Sequence, residues 1–214
     1  MFNFDSHRGA SNPIISESPS LFVLGLRRSG TSIIRKCINT SPNVELEFEP
    51  RDAWWTITQG HLPRFRNHKM VVHLEDAMKS TLSLMESCNL IGGAKFAFEP
   101  GIVGMYWRHI ELRFKDPKFV FVRRNAKDTY SSYTKMDNGS VHGTACQTSF
   151  DLARQQIYSS FEDFSRQYPE RSAFVDYEKL IAGKQIPDSV WNMIGVQPVD
   201  VSSMIRMPRN KEGM

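Results

Sequence analysis

The sequence predicts a three-layer α/β sandwich with a mostly parallel sheet, of the kind that holds a phosphate at the loop between its first strand and first helix. Three observations predict it. Short apolar runs recur at Leu21-Phe22-Val23-Leu24, Phe119-Val120-Phe121-Val122 and Ala173-Phe174-Val175, each suited to a strand buried on both faces. Stretches with helical spacing separate these runs, and parallel strands need such crossovers. Finally, Gly25-Leu26-Arg27-Arg28-Ser29-Gly30-Thr31-Ser32 follows the first run and opens the first helical stretch, the setting of a phosphate-binding loop.

Residues 1–19 are polar and lack the cationic, apolar and small-residue succession of a signal peptide, so they read as a flexible arm ahead of one domain over 20–214. The strand from Leu21 ends at glycine, and a helix follows from Thr31 to Asn39, with Ile33, Ile34, Cys37 and Ile38 on one side. Ser41-Pro42-Asn43 stops that helix, and a second strand covers Val44 to Phe48. Pro50 to Met70 has no clear period. Leu74, Ala77, Met78, Thr81, Leu82 and Met85 keep helical spacing up to Asn89, and Gly92-Gly93 reads as the punctuation that ends this helix before a strand from Lys95 to Phe98.

Ile102, Val103, Tyr106, Ile110 and Phe114 suggest the next helix, ahead of the strand from Phe119. Another helix opens near Asn125. Gly139 to Ser149 is rich in Gly, Ser and Thr, as a lid would be. Phe150, Ala153, Ile157, Phe161 and Phe164 mark a long amphipathic helix to Tyr168, then comes the strand from Ala173, and Pro187 to Ile194 forms a short helix.

The bulk properties exclude several classes. A chain of 214 residues buries roughly 70% of its extended surface on folding and needs no disulfide or metal staple. Cys37, Cys88 and Cys146 are scattered without a C-x-x-C pair, which fits buried free thiols in a reducing, cytoplasmic setting. No run approaches the roughly 18 apolar residues of a membrane span. Net charge is +4, but the Lys and Arg residues are dispersed, so the charge favours anionic ligands without marking a nucleic-acid tail. Metal-binding spacings such as H-E-x-x-H are absent, so the expected chemistry is metal-independent.

In an open parallel sheet, ligands bind at the carboxyl ends of the strands. That rule puts three segments on one rim: Gly25 to Thr31, the end of Lys95 to Glu99, and Arg123 to Ser132. In the loop, Thr31 stands where nucleotide-hydrolysing proteins keep a lysine, while Arg28 stands earlier. The clamp for β- and γ-phosphates is therefore missing, which disfavours ATP chemistry.

Arg28-Ser29-Gly30-Thr31-Ser32 resembles the 5′-phosphosulfate loop of sulfotransferases, which usually reads Lys or Arg, Ser, Gly, Thr, then Ser or Thr. Arg35, Pro42 and Val44 fall where protein-tyrosine sulfotransferases carry the same residues. Arg124-Asn125-Ala126-Lys127-Asp128 is similar to the 3′-phosphate motif of cytosolic sulfotransferases, whose arginine and a serine eight positions later bind that phosphate; this implies Arg124 and Ser132. Arg123 and Ser131 have the same spacing, so spacing leaves the register open. Tyr177-Glu178-Lys179-Leu180 resembles the segment whose tyrosine contacts adenine, against the alternative that Tyr177 packs under a strand end. The resemblance covers most of Leu21 to Leu180. The glycine-rich closing loop of cytosolic members is absent, and Arg206 to Lys211 is a loose substitute.

What the resemblance implies is a sulfotransferase-like fold and an enzyme that uses 3′-phosphoadenosine-5′-phosphosulfate as donor and releases adenosine 3′,5′-bisphosphate. Arg27, Arg28, Ser29, Gly30, Thr31 and Ser32 would hold the 5′ end, with Arg28 steadying the leaving phosphate. Lys95 would stabilise charge at the transferred group. Glu49 is the first choice of base, because Glu47-Phe48-Glu49-Pro50 lies where relatives keep an acidic residue; Glu47, His73 and Glu99 compete for the role. Cytosolic members use a histidine two places after the strand lysine, where this chain has Ala97. Trp54, Trp55, Tyr106 and Trp107 line an acceptor cavity or belong to the core. The expected partner is a small-molecule or sugar hydroxyl, with an amine and a homodimer left open, and neither nucleic acid nor a membrane. The alternatives are a phosphate-loop kinase of a small metabolite and a non-catalytic nucleotide binder.

Overall fold

The computed structural model describes residues 20–48, 82–83, 86–98, 111, 114–136 and 147–205. Among them five strands form one sheet: β1 (Leu21–Leu26), β2 (Val44–Phe48), β3 (Ile91–Phe98), β4 (Lys118–Arg123) and β5 (Ser172–Asp176). Their spatial order is β2-β3-β1-β4-β5 and every neighbouring pair runs parallel, as the alternation of apolar runs and helical stretches predicts. The α-helices bounded among the described residues are α1 (Thr31–Ile38), α2 (Ala126–Met136), α3 (Gln147–Gln167), α4 (Tyr177–Gly183) and α5 (Asp188–Ile194).

Successive residues of a strand face opposite sides of a sheet, and β1 divides its side chains accordingly. Phe22, Leu24 and Leu26 join one core cluster with Phe150, Ile157, Phe161 and Phe164 of α3. Leu21 and Val23 join the other, with Ile34, Cys37 and Ile38 of α1 and Val190, Trp191 and Ile194 of α5. Both faces are therefore covered and β1 is buried along its whole length, which explains its lack of polar alternation. The α3 face is the aromatic one, with the rings of Phe121 and Phe161 stacked 4.2 Å apart. Each fully buried phenylalanine contributes about 1.5–3 kcal/mol relative to an exposed one. In the other cluster, burial pushes the Cys37 thiol up to about 11, as befits an inert core cysteine.

This arrangement locates the site. The helix after β1 packs on one face of the sheet and the helix pair after β4 on the other, although β1 and β4 are neighbours. The carboxyl ends of β1 and β4 thus flank a topological switch point, where chains diverge and leave a crevice.

Two elements differ from the sequence expectation. β3 begins at Ile91, so Gly92-Gly93 lies inside a strand and does not punctuate a helix. A Cβ on Gly93 would stand 1.8 Å from the Leu21 carbonyl oxygen, so glycine permits the close approach of β3 to β1. α4 was not expected; it follows β5 at once, and its Leu180 is buried in the α1-side cluster. The expected helix from Leu74 to Asn89 lies mostly outside the described residues, with Leu82–Ser83 and Glu86–Ser87 helical. The N-terminal arm, residues 139–146, the tail from Arg206 and, apart from Glu111 and the buried Phe114, the expected helix from Ile102 also lie outside them. No helix among the described residues is long and apolar enough to cross a membrane.

Candidate functional site

The loop after β1 is built from two left-handed residues, Arg28 (φ 71°) and Gly30 (φ 101°). Ser29 N–H donates to the Leu26 carbonyl at 3.0 Å and closes the turn. The Ser29 side chain points inward, fully buried: a Cβ on Gly25 would lie 2.5 Å from its Oγ, and this oxygen has no hydrogen-bond partner among the described residues. Arg27 N–H donates to the Phe98 carbonyl at 2.9 Å, which ties the end of β1 to the end of β3.

At the head of α1, no side chain caps the helix and no acidic residue lies in its first turn, whereas Arg35 and Lys36 sit in the last. The first amides of a helix have no intrahelical acceptor and carry roughly half a positive charge. An uncapped, acid-free helix start after a left-handed glycine leaves its first amide donors suited to an anion. Thr31 is buried and Ser32 half-buried at this start.

The β4 rim separates two adjacent arginines. Arg123 is opposite Asp176 in the β4/β5 register; its Nε donates to Asp176 Oδ1 at 2.9 Å, an Nη lies 3.4 Å from Glu162 Oε1, and its guanidinium sits 4.3 Å from the Phe174 ring centroid. It is occupied in tying β4, β5 and α3 together. Arg124 instead faces the loop after β1. Its Nη1 donates to the Arg28 carbonyl at 2.9 Å, its guanidinium lies 4.5 Å from the Tyr177 ring centroid, and its Nε is buried without an acceptor among the described residues. Its backbone N–H donates to Tyr158 Oη at 3.2 Å.

The two rims meet directly. Arg28 Nε donates to Ser132 Oγ at 3.0 Å, from the loop after β1 to the second turn of α2. The Tyr177 ring covers Gly30 so closely that a Cβ there would lie 2.2 Å from Tyr177 Cδ2. Arg28, Gly30, Arg124, Ser132 and Tyr177, all named from sequence as one site, are thus gathered at the β1/β4 crevice. Spacing alone left Arg123 and Arg124 equivalent, whereas the geometry turns only Arg124 toward this crevice.

Sequence reasoning missed the supports of this rim. Asn125 Oδ1 accepts the Asp128 N–H at 2.8 Å as a helix cap for α2, and Glu178 Oε1 accepts the Asn125 N–H at 3.1 Å and its Nδ2 at 2.8 Å. Glu178 therefore locks the start of α4, and with it Tyr177, to the β4 rim. The signal for the cap was present as Asn and Asp three positions apart before a helix, but the link to Glu178 needs the fold.

The catalytic candidates are less gathered. Lys95 is buried, 2% exposed, in the middle of β3 opposite Val23 and Phe48, three residues before the strand end. Strand alternation puts it on the α1 face, opposite to Ala94 and Phe96. Glu47, next to last in β2, is half-buried, and burial raises its carboxyl above the ordinary range; Arg35 opposes this shift and Glu45 adds to it. Glu49, His73, Glu99, Trp54, Trp55, Tyr106 and Trp107 lie outside the described residues. Among the described residues no group of three His, Cys, Asp or Glu side chains is placed to hold a metal.

Three solved structures share the architecture. A sulfotransferase domain from the curacin biosynthetic pathway matches with a TM-score of 0.61 at 14% identity, covering 92% of this chain and 82% of that one. The sulfotransferase domain of the Synechococcus PCC 7002 olefin synthase matches with a TM-score of 0.64 at 15% identity, over 96% and 82%. The fold is that of the sulfotransferases. A sulfotransferase from Alicyclobacillus acidocaldarius agrees, with a TM-score of 0.54 at 12% identity over 93% and 87%. No protein-family model matches the sequence, and neither does any curated protein. At such identities the sulfotransferase fold is shared as architecture, and residue roles rest on the geometry above.

Proposed function

We propose that the protein is a sulfotransferase that takes the sulfuryl group of 3′-phosphoadenosine-5′-phosphosulfate to a hydroxyl, or an amine, of a small-molecule or carbohydrate acceptor. The observation that carries the reading is the junction of the two rims: Arg124 Nη1 at 2.9 Å from the Arg28 carbonyl and Arg28 Nε at 3.0 Å from Ser132 Oγ. One crevice therefore offers two separate anion sites. The uncapped start of α1 suits a phosphate on one side, and Arg124 with Ser132 suits another. The buried Arg124 Nε, without an acceptor among the described residues, fits a ligand oxygen there, because a buried donor left unpaired costs about 1–3 kcal/mol. A nucleotide carrying a phosphate at each end of its ribose matches this pair. The Thr31 position, without a lysine for β- and γ-phosphates, counts against a kinase.

When bound, the donor supplies a sulfuryl group whose bond to the 5′-phosphate oxygen breaks as the bond from the acceptor oxygen or nitrogen to sulfur forms. The first-turn amides of α1, with Thr31 and Ser32, take the leaving 5′-phosphate. Arg124 and Ser132 take the 3′-phosphate, and Tyr177, held by Gly30 and Arg124, fixes the adenine end. Lys95 offsets charge near the transferred group, a role whose loss typically costs roughly 10²–10³-fold in rate. Glu49 accepts the acceptor proton, worth about 10²–10⁴-fold. We assign the enzyme to the cytoplasm on its scattered cysteines.

The test is to supply the sulfate donor with a panel of hydroxyl and amine acceptors and to follow adenosine 3′,5′-bisphosphate. Acceptor-dependent release, reduced at least about 100-fold by Glu49→Gln, is the expected outcome. Binding of the donor with no transfer to any acceptor would leave a nucleotide binder only.

A further inference from the structure

The amino-terminal half of α3 carries two half-buried charged side chains, Asp151 and Arg154. Asp151 Oδ1 and Arg154 Nε are both shielded from solvent, and neither has a hydrogen-bond partner among the described residues. Three positions apart, they stand on neighbouring turns of one side of the helix, the spacing at which opposite charges usually pair, yet these two atoms do not bond each other. Native interiors leave few such atoms unpaired, so the two mark a place for a ligand that supplies both a donor and an acceptor. Packing fixes where that place is. Phe164 meets Phe119 and Phe121, and Phe161, a turn earlier, meets Phe121 and Phe98, so α3 runs antiparallel to the strands. Tyr158 Oη then reaches the Arg124 N–H at 3.2 Å, just past the end of β4. At 1.5 Å per residue, Arg154 and Asp151 stand roughly 6 and 10 Å further along the helix, beyond the carboxyl ends of the strands, where ligands of such sheets bind. The Arg154 guanidinium lies 5.3 Å from the Tyr158 ring centroid, which keeps it on the flank of α3 that borders this rim.

Resting on the sulfotransferase reading, we propose that Asp151 and Arg154 bind the acceptor and select an uncharged polyol of the carbohydrate type over a flat aromatic alcohol. Charge matching supports this choice. A cationic amine would gain from Asp151 and lose to Arg154, and an anionic acceptor the reverse, whereas a neutral sugar meets a pair whose charges sum to zero. Hydroxyl groups both donate and accept, so one can donate to Asp151 Oδ1 while another accepts from Arg154 Nε. An aromatic ring laid over the same two atoms would leave both unpaired, and unpaired buried polar groups discriminate steeply between substrates.

The experiment supplies the unaltered protein, Asp151→Asn and Arg154→Met with the sulfate donor and either neutral methyl glycosides or 2-naphthol, and follows adenosine 3′,5′-bisphosphate. The unaltered protein should transfer to a glycoside with kcat/KM at least about tenfold above that for 2-naphthol. Each substitution should raise the glycoside KM about 10–100-fold and leave the 2-naphthol KM within about threefold. Calorimetry should give adenosine 3′,5′-bisphosphate the same Kd within about threefold in all three proteins, which separates an acceptor role from damage to the fold. Asp151→Asn is isosteric, so it removes the charge and spares the packing. An unchanged glycoside KM in either variant, an equal loss for 2-naphthol, or transfer to 2-naphthol alone by the unaltered protein would overturn the inference and leave the sulfotransferase reading standing. Failure of the unaltered protein to bind the nucleotide, or transfer to neither class of acceptor, would remove that reading and the inference with it.

Discussion

Adjacent side chains on a strand point to opposite faces, and at the end of β4 this alternation separates an arginine paired with acids from one that faces the β1/β4 crevice. Arg123 bonds Asp176 and Glu162 and covers Phe174, whereas Arg124 meets Tyr177 and the Arg28 carbonyl. Their substitutions should therefore have opposite signatures. Arg123→Met should lower stability by about 1 kcal/mol, because its ion pairs are only partly shielded from solvent, and leave nucleotide affinity nearly unchanged. Arg124→Met should cost less stability but weaken adenosine 3′,5′-bisphosphate at least about tenfold. Thermal unfolding with and without the nucleotide reads both quantities, and the reverse pattern would put the phosphate on Arg123. Spacing could not make this distinction, since both arginines have a serine at the same interval, although the resemblance carried by Arg124 to Asp128 favoured Arg124. The deciding facts are the strand end and the acids that β5 and α3 bring to Arg123.

At the scale of elements, strands with unbroken apolar runs were legible, and β2 runs from Val44 to Phe48 as predicted. β3 was only half legible, because glycine signals a turn in sequence and a close approach in space. Gly93→Ala tests the second meaning. The added methyl would meet the Leu21 backbone at 1.8 Å, and backbone in the middle of a sheet cannot rotate aside. A loss of at least about 3 kcal/mol in urea unfolding, or failure to accumulate as folded protein, is expected. Gly183→Ala is the control, since its nearest neighbour is Gln185 Cγ at 3.8 Å, and it should be neutral to stabilising by up to about 1 kcal/mol. Equal effects at both positions would mean that β1 and β3 are not so closely joined. α4 escaped sequence reading for a different reason. Seven residues hold too few turns to show a period, and Glu178 anchors its start only through Asn125 of the distant β4 rim.

For the molecule as a whole, the half-buried carboxyl of Glu47 links stability to pH. Burial raises its folded value above the unfolded one, despite the opposing charge of Arg35. Between those two values the folded chain binds more protons than the unfolded chain, so stability is highest below the unfolded value and falls as pH rises through the folded one. Glu47→Gln removes this dependence. The variant should match the parent near pH 4 and exceed its melting temperature by roughly 1–2 °C near pH 8, a small gain because solvent still screens a carboxyl that is only half-buried. The same variant addresses the chemistry. If Glu49 takes the acceptor proton, Glu47→Gln retains sulfuryl transfer and leaves the acidic limb of its pH profile in place. Loss of transfer together with that limb, in a protein that still binds adenosine 3′,5′-bisphosphate, would move the base from Glu49 to Glu47. The raised carboxyl on β2 would then be a functional group that the fold keeps at a cost in stability.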